Sequence, residues 1–123
     1  MSIIRAILRV IILVVDTLFK PKLAVLPAEH RARLAQATQG MSLYQFEACP
    51  FCVKVRWAMR RLGVDIPLKD AKNDTFHKQE LLEGGGRVKV PCLRTQINGQ
   101  DHWLYESDAI NAHLATLVEQ TKA

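Results

Sequence analysis

Cys49 and Cys52 are the residues of this sequence best suited to covalent chemistry, two thiols separated by Pro50 and Phe51. They stand where the hydrophobic pattern changes period. Met41 to Phe46 is short, apolar and aromatic and reads as a strand, whereas Pro50 to Leu62 repeats its apolar residues at helical spacing. Cys49 is therefore expected just before the first turn of a helix, where unpaired backbone N–H groups and the positive end of the helix dipole favour a thiolate. Pro50 suits the first helical position because its missing N–H would have had no partner there. A thiol with a lowered pKa is a nucleophile. Cys52, one turn further on the same side, is placed to attack a mixed disulfide at Cys49 and release the product.

Other readings of the pair are half of a structural zinc site and two unrelated buried cysteines. A zinc site needs two further ligands, and His30, His77, His102 and His113 contain no closely spaced pair. A lone C-x-x-C beside a strand–helix pattern is the redox signature, and no metal ligand is expected. Cys92 follows Pro91 directly, and strand alternation turns it into the core. An odd count of three cysteines suits a reducing compartment better than a disulfide scaffold.

Around the dithiol the sequence lays out a series of short elements. Gly63 closes the dithiol helix, and Ile66 to Lys69 reads as an edge strand because it contains Pro67. Asp74 is a good N-cap for a helix from Thr75 to Glu83. Gly84, Gly85 and Gly86 follow a helix and precede a strand, the reverse of a phosphate loop, and read as a flexible connector. Val88 to Arg94 is strand-like except at Pro91. A cis Val90–Pro91 bond at its start would expose the Val90 backbone to whatever docks beside the dithiol. Asn98-Gly99 joins Pro91–Ile97 to Asp101–Tyr105 as a hairpin. Ser107 then caps a closing helix from Asp108 to Val118. Trp57, Met59 and Trp103 read as packing residues, and His77 and His102 as surface or hydrogen-bonded ones.

The chain of 123 residues has room for one domain and a small appendage, and its composition, 49% apolar and 24% charged, excludes a disordered chain. The appendage is residues 1–20. Ile3 to Phe19 is strongly apolar but interrupted by Arg5, Arg9 and Asp16, which on a helix fall on one narrow stripe. That pattern favours a helix lying in a membrane interface, or a marginal span whose charges snorkel. A signal peptide, lacking here a small-residue cleavage site, and a helix packed on a protein partner are the other readings. Residues 21–40 read as a linker with a short helix, Ala28 to Gln39, acting as a spacer; residues 41–123 form the main domain.

The net charge of +5 resides mostly in the arm: residues 1–40 carry +4, while the remainder holds eleven basic and ten acidic residues. Nucleic-acid binding would need that excess on the folded domain, so no nucleic-acid partner is expected. The basic residues Lys20, Lys22, Arg31 and Arg33 instead favour the cytoplasmic face of a membrane.

The order strand, dithiol helix, strand, helix, proline-started strand, hairpin strand, helix resembles a glutaredoxin, an α/β domain of the thioredoxin-like βαβαββα fold preceded here by an N-terminal amphipathic helix. Cys-Pro-Phe-Cys at 49–52, Val-Pro at 90–91 and Tyr-Glu-Ser-Asp-Ala-Ile at 105–110 occur in the family's order. The last of these is also similar to the N-terminal domain of glutathione S-transferases. The resemblance implies a glutathione-dependent thiol-disulfide oxidoreductase acting on disulfide-containing or glutathionylated proteins. It implies that Cys49 forms the mixed disulfide and Cys52 resolves it. Val90, beside Pro91, would pair with the cysteinyl part of glutathione, and Glu106, Ser107 and Asp108 would hold its γ-glutamyl end.

Two departures stand out. Where glutaredoxins often carry a lysine for the glycine carboxylate, this chain has Phe46 and Glu47, leaving Lys54, Arg56 or Arg87 as candidate cations. The helical second domain of a transferase is also absent from the sequence, which disfavours conjugation. A glutaredoxin-like module holding an iron–sulfur cluster between two copies, and an inactive transferase-like adaptor, are the rival readings.

Overall fold

A computed structural model describes residues 2–122. The elements in order are α1 (Ser2–Phe19), α2 (Ala28–Ala37), β1 (Met41–Gln45), α3 (Pro50–Leu62), β2 (Leu68–Asp70), α4 (Thr75–Gly85), β3 (Cys92–Ile97), β4 (Gln100–Tyr105) and α5 (Ser107–Gln120). The strands form one mixed sheet in the order β2-β1-β3-β4. β1 runs parallel to β2 and antiparallel to β3, and β3 is antiparallel to β4. From β1 onward this is a thioredoxin-like fold.

Strand alternation sorts the core into two layers. Leu43 and Leu93 face one side, where they pack with Val55 and Met59 of α3 and Ile110 and Leu114 of α5. Their neighbours Tyr44 and Cys92 face the other, against Leu81 of α4. The hairpin turn has Asn98 at φ 53° and Gly99 at φ 78°, the two positive values that a two-residue turn requires. Asp74 caps α4 as expected, accepting from the Phe76 and His77 amides at 3.0 and 3.3 Å.

Several elements depart from the sequence reading for identifiable reasons. β2 starts at Leu68, not Ile66, because Pro67 has no N–H to contribute to the ladder; Ile66 is buried in the core instead. The chain from Val88 to Val90 is not strand, and β3 begins only after the proline. Gly84 and Gly85 are no flexible connector. Both are helical, and a Cβ at either would overlap Trp103 or the Tyr105 hydroxyl, so their lack of side chains lets α4 lie directly on β4. Gly86, at φ 93°, ends the helix.

The segment read as a spacer also belongs to the core. Leu34 of α2 is buried with Leu114 and Val118 of α5, and His30 Nε2 bonds to the Val118 carbonyl and the Thr121 hydroxyl, both at 3.0 Å.

The N-terminal helix sits on the domain by its polar stripe. Asp16 accepts from Trp57 Nε1 at 2.7 Å and from Arg56 at 2.9 Å. Partial burial opposes ionisation of Asp16, but these hydrogen bonds and the Arg56 charge outweigh it and hold its pKa below the usual carboxylate range. With the stripe turned inward, Ile4, Ile7, Ile11, Val15 and Leu18 face outward and are exposed. No helix among the described residues is long and apolar enough to cross a membrane.

Candidate active site

The sheet register brings the sequence-predicted residues to one end of the molecule. Tyr44 pairs with Cys92 and Cys92 with Tyr105, so the C-terminal ends of β1 and β4 and the N-terminal end of β3 lie side by side. The segments that leave this line carry the site residues: Cys49 and Cys52 after β1, Val90 and Pro91 before β3, and Glu106, Ser107 and Asp108 after β4. A bridge from Lys54 on α3 to Asp108 on α5 ties two of these segments together.

Cys49 is the N-cap of α3, with extended backbone (φ −87°, ψ 125°) and Pro50 in the first turn. Its side chain is half-buried, whereas Cys52 is fully buried. The two sulfurs are unequal as a consequence. A hydrogen bond from the Cys52 thiol stabilises the Cys49 thiolate and outweighs the cost of burial. The Cys52 and Phe51 amides and the Arg56 guanidinium act in the same direction, lowering the Cys49 pKa to about 6. Donation to Cys49 together with burial pushes the Cys52 pKa far up, even though the Phe46 amide points at its sulfur at 3.5 Å. At neutral pH the pair is one exposed-side thiolate and one protonated, buried thiol.

Arg56 is fixed from several directions. Its guanidinium bonds to the Gln45 side chain, to the Glu47 carbonyl at 2.9 Å and to Asp16 of α1. The main-chain carbonyl of Glu47, not its carboxylate, is thus what meets this cation. The other candidate cations are also engaged: Lys54 with Asp108, and Arg87 stacked 4.6 Å above the Tyr105 ring.

Val90 and Pro91 are joined by a cis peptide bond. Pro91 is buried, Val90 is partly so, and neither backbone polar group of Val90 has a backbone partner among the described residues. The expected role of Ser107 as N-cap is corrected. Glu106 occupies the cap position at φ 74° and ψ 120°, and Ser107 is the first helical residue, buried, with no side-chain cap bond. The Ser107 amide is one of the first-turn N–H groups that a helix leaves without an internal partner. The Glu106 carboxylate pairs with Lys89 at 2.8 Å. A non-glycine residue at this φ is an unfavourable conformation, and no local pattern in the sequence marks it.

Cys92 is buried as expected, and burial pushes its pKa up to about 12. Trp103 is a packing residue, tilted against Tyr44 at 5.3 Å. Trp57 does more than pack, since it anchors Asp16. His77 bonds to Glu80 at 3.1 Å and His102 is exposed. Among the described residues no cluster of three or more His, Cys, Asp or Glu could hold a metal ion.

Residues that sequence reasoning missed come from α1. Arg5 and Arg9 line the cleft that Cys49 also lines, and only the docking of α1 through Asp16, a tertiary fact, brings them there.

A family model described as glutathione S-transferase, N-terminal domain, matches residues 48–117, a span running from just before the dithiol into α5. No curated protein matches the chain. Among solved structures it is similar to oxidized glutaredoxin 2 from Chlamydomonas reinhardtii, with 24% identity and a TM-score of 0.48 over 76% of this chain and 91% of that chain.

We predict that Glu106→Gly raises stability by about 1 kcal/mol in urea unfolding, because glycine adopts this φ without steric cost. A loss of about that size would show that Glu106 is not strained. The match over more than half its length makes the chain a member of the glutathione S-transferase N-terminal domain family, with a thioredoxin-like fold.

Proposed function

We propose that the protein is a glutathione-dependent thiol-disulfide oxidoreductase that works at a membrane surface. The observation that carries the reading is the unequal placing of the two sulfurs, Cys49 half-buried at the cap of α3 and Cys52 fully buried in its first turn, which favours a thiolate at the first and a thiol at the second. A conjugating or purely adhesive domain has no need of the second thiol. In the proposed cycle the Cys49 thiolate attacks the glutathionyl sulfur of a mixed disulfide, forming a Cys49–glutathione disulfide and releasing the substrate thiolate, which takes up a proton. A glutathione thiolate then attacks that disulfide, yielding glutathione disulfide and regenerating the Cys49 thiolate. On protein disulfides the Cys49 thiolate attacks one sulfur and releases the other as a thiolate that takes up a proton. Cys52 then loses its proton, attacks the mixed disulfide at Cys49 and releases the second protein thiol, and two glutathione molecules reduce the Cys49–Cys52 bond and leave as glutathione disulfide.

The residues around the dithiol suit glutathione. The free N–H and C=O of Val90 offer a strand-like contact for the cysteinyl unit. The Ser107 amide at the start of α5 suits a carboxylate, and Glu106 and Asp108 beside it suit an ammonium, together matching a γ-glutamyl end.

The membrane part of the proposal rests on α1. A helix that docks on its own domain through Asp16 and turns an isoleucine, valine and leucine face outward needs an apolar neighbour. Lys20 and Lys22, exposed at the end of that face, suit anionic headgroups, so the neighbour proposed is a lipid surface. The helix lies in the interface, and the basic arm favours the cytoplasmic side.

In a coupled assay on a small glutathione mixed disulfide, Cys49→Ser is expected to abolish turnover and Cys52→Ser to retain it; retained activity in Cys49→Ser would refute the reaction class. On vesicles of phosphatidylcholine and phosphatidylserine the protein is expected to co-float. Ile7→Asp with Ile11→Asp is expected to weaken that binding at least about tenfold. Wild-type protein left in solution would refute the membrane surface.

A further inference from the structure

The cleft beside Cys49 is built from two parts of the chain that the family match does not unite. Its floor is the dithiol loop with Glu47 and Cys49, together with Lys72 and Asn73 from the turn after β2; its wall is the first half of α1. The cleft encloses about 560 Å³, room for part of a peptide-sized ligand. Arg5 and Arg9 stand one helical turn apart on the wall. Neither forms an ion pair or side-chain hydrogen bond among the described residues, whereas Asp16, further along the same stripe, is committed to Arg56 and Trp57. With Lys72 they set three cations against the one carboxylate of Glu47.

We propose that α1 completes the substrate site, and that Arg5 and Arg9 bind the glycyl carboxylate of glutathione or of a glutathionyl mixed disulfide. The inference rests on the glutathione reading of the dithiol. It follows from the charge layout around Cys49. At one end of the site Glu106 and Asp108 lie beside Lys89 and Lys54, a mixed-charge surface suited to the zwitterionic γ-glutamyl end. At the α1 end the surface is cationic, suited to a group with a carboxylate and no ammonium. A tripeptide whose sulfur lies at Cys49 has one end of each kind, so the layout orients it. The cations that the sequence offered near the dithiol are engaged elsewhere, Lys54 with Asp108, Arg56 with Asp16, and Arg87 on Tyr105, which leaves Lys72 as the domain's own cation in the cleft beside the two arginines. The docking of α1 by Asp16 therefore serves recognition as well as attachment.

The test compares two substrates on the full chain, the mixed disulfide of glutathione with 2-mercaptoethanol and the same compound with its glycyl carboxylate converted to an amide. Wild type is expected to prefer the free carboxylate in kcat/KM by about fivefold, the scale of a solvent-accessible ion pair. In Arg5→Gln/Arg9→Gln the preference is expected to fall to about one, chiefly through KM, while Arg5→Lys/Arg9→Lys keeps part of it. Because the readout is a ratio within one protein, a general loss of activity leaves it intact. Active wild type with no preference, or a preference unchanged in the glutamine variant, would overturn the assignment while leaving the dithiol chemistry standing. Absence of turnover on both substrates would overturn both.

Discussion

The hydrogen bond from the Cys52 thiol to the Cys49 sulfur is the interaction on which the rest of the site depends. It requires one sulfur to keep its proton and the other to give it up, and the fold arranges for this by burying them unequally. Cys52 lies inside the first turn of α3, fully buried; Cys49 lies at the cap, where backbone N–H groups point outward. Helix geometry alone would lower both pKa values. The hydrogen bond between the sulfurs separates them, with the deeper burial of Cys52 adding to it, so that the proposed nucleophile and the proposed resolving thiol differ before any substrate arrives.

Arg56 connects this chemistry to the N-terminal helix. One guanidinium favours the Cys49 thiolate, holds Gln45 and the Glu47 carbonyl, and receives Asp16 from α1. The helix is thereby seated by the same cation that acts on the Cys49 sulfur. Its seating has two consequences for the proposed function: the apolar face is left outward, toward the proposed lipid surface, and the remaining charges of the stripe, Arg5 and Arg9, are left over the cleft. The polar stripe, which on an isolated helix would face water, here faces the protein.

Features governed by local rules were legible in the sequence. The cap position of Cys49, the Asp74 cap, the Asn98-Gly99 turn and the alternation that buries Cys92 depend on residues within a few positions of one another, and each is found where the pattern places it. What was not legible depends on packing between distant segments. Gly84 and Gly85 looked like a connector because nothing local reveals that Trp103 and Tyr105 occupy the space their side chains would need. Glu106 at positive φ displaced Ser107 from the cap, a conformation held by the junction of β4 and α5 and disfavoured by the residue itself. Arg5 and Arg9 reach the cleft only because Trp57 and Arg56, some forty residues later, receive Asp16.

The chemistry of the site turns on a Cys49 thiolate at neutral pH, and thiolate absorbance near 240 nm reports it directly. Titration of the reduced protein, with Cys49→Ser as reference, is predicted to show a one-sulfur step centred near pH 6 that is missing from the variant. The thiolate would be lost as the pH falls below that midpoint and retained above it. A first step at the ordinary cysteine value of about 8.5, or the same low step in both proteins, would contradict the account.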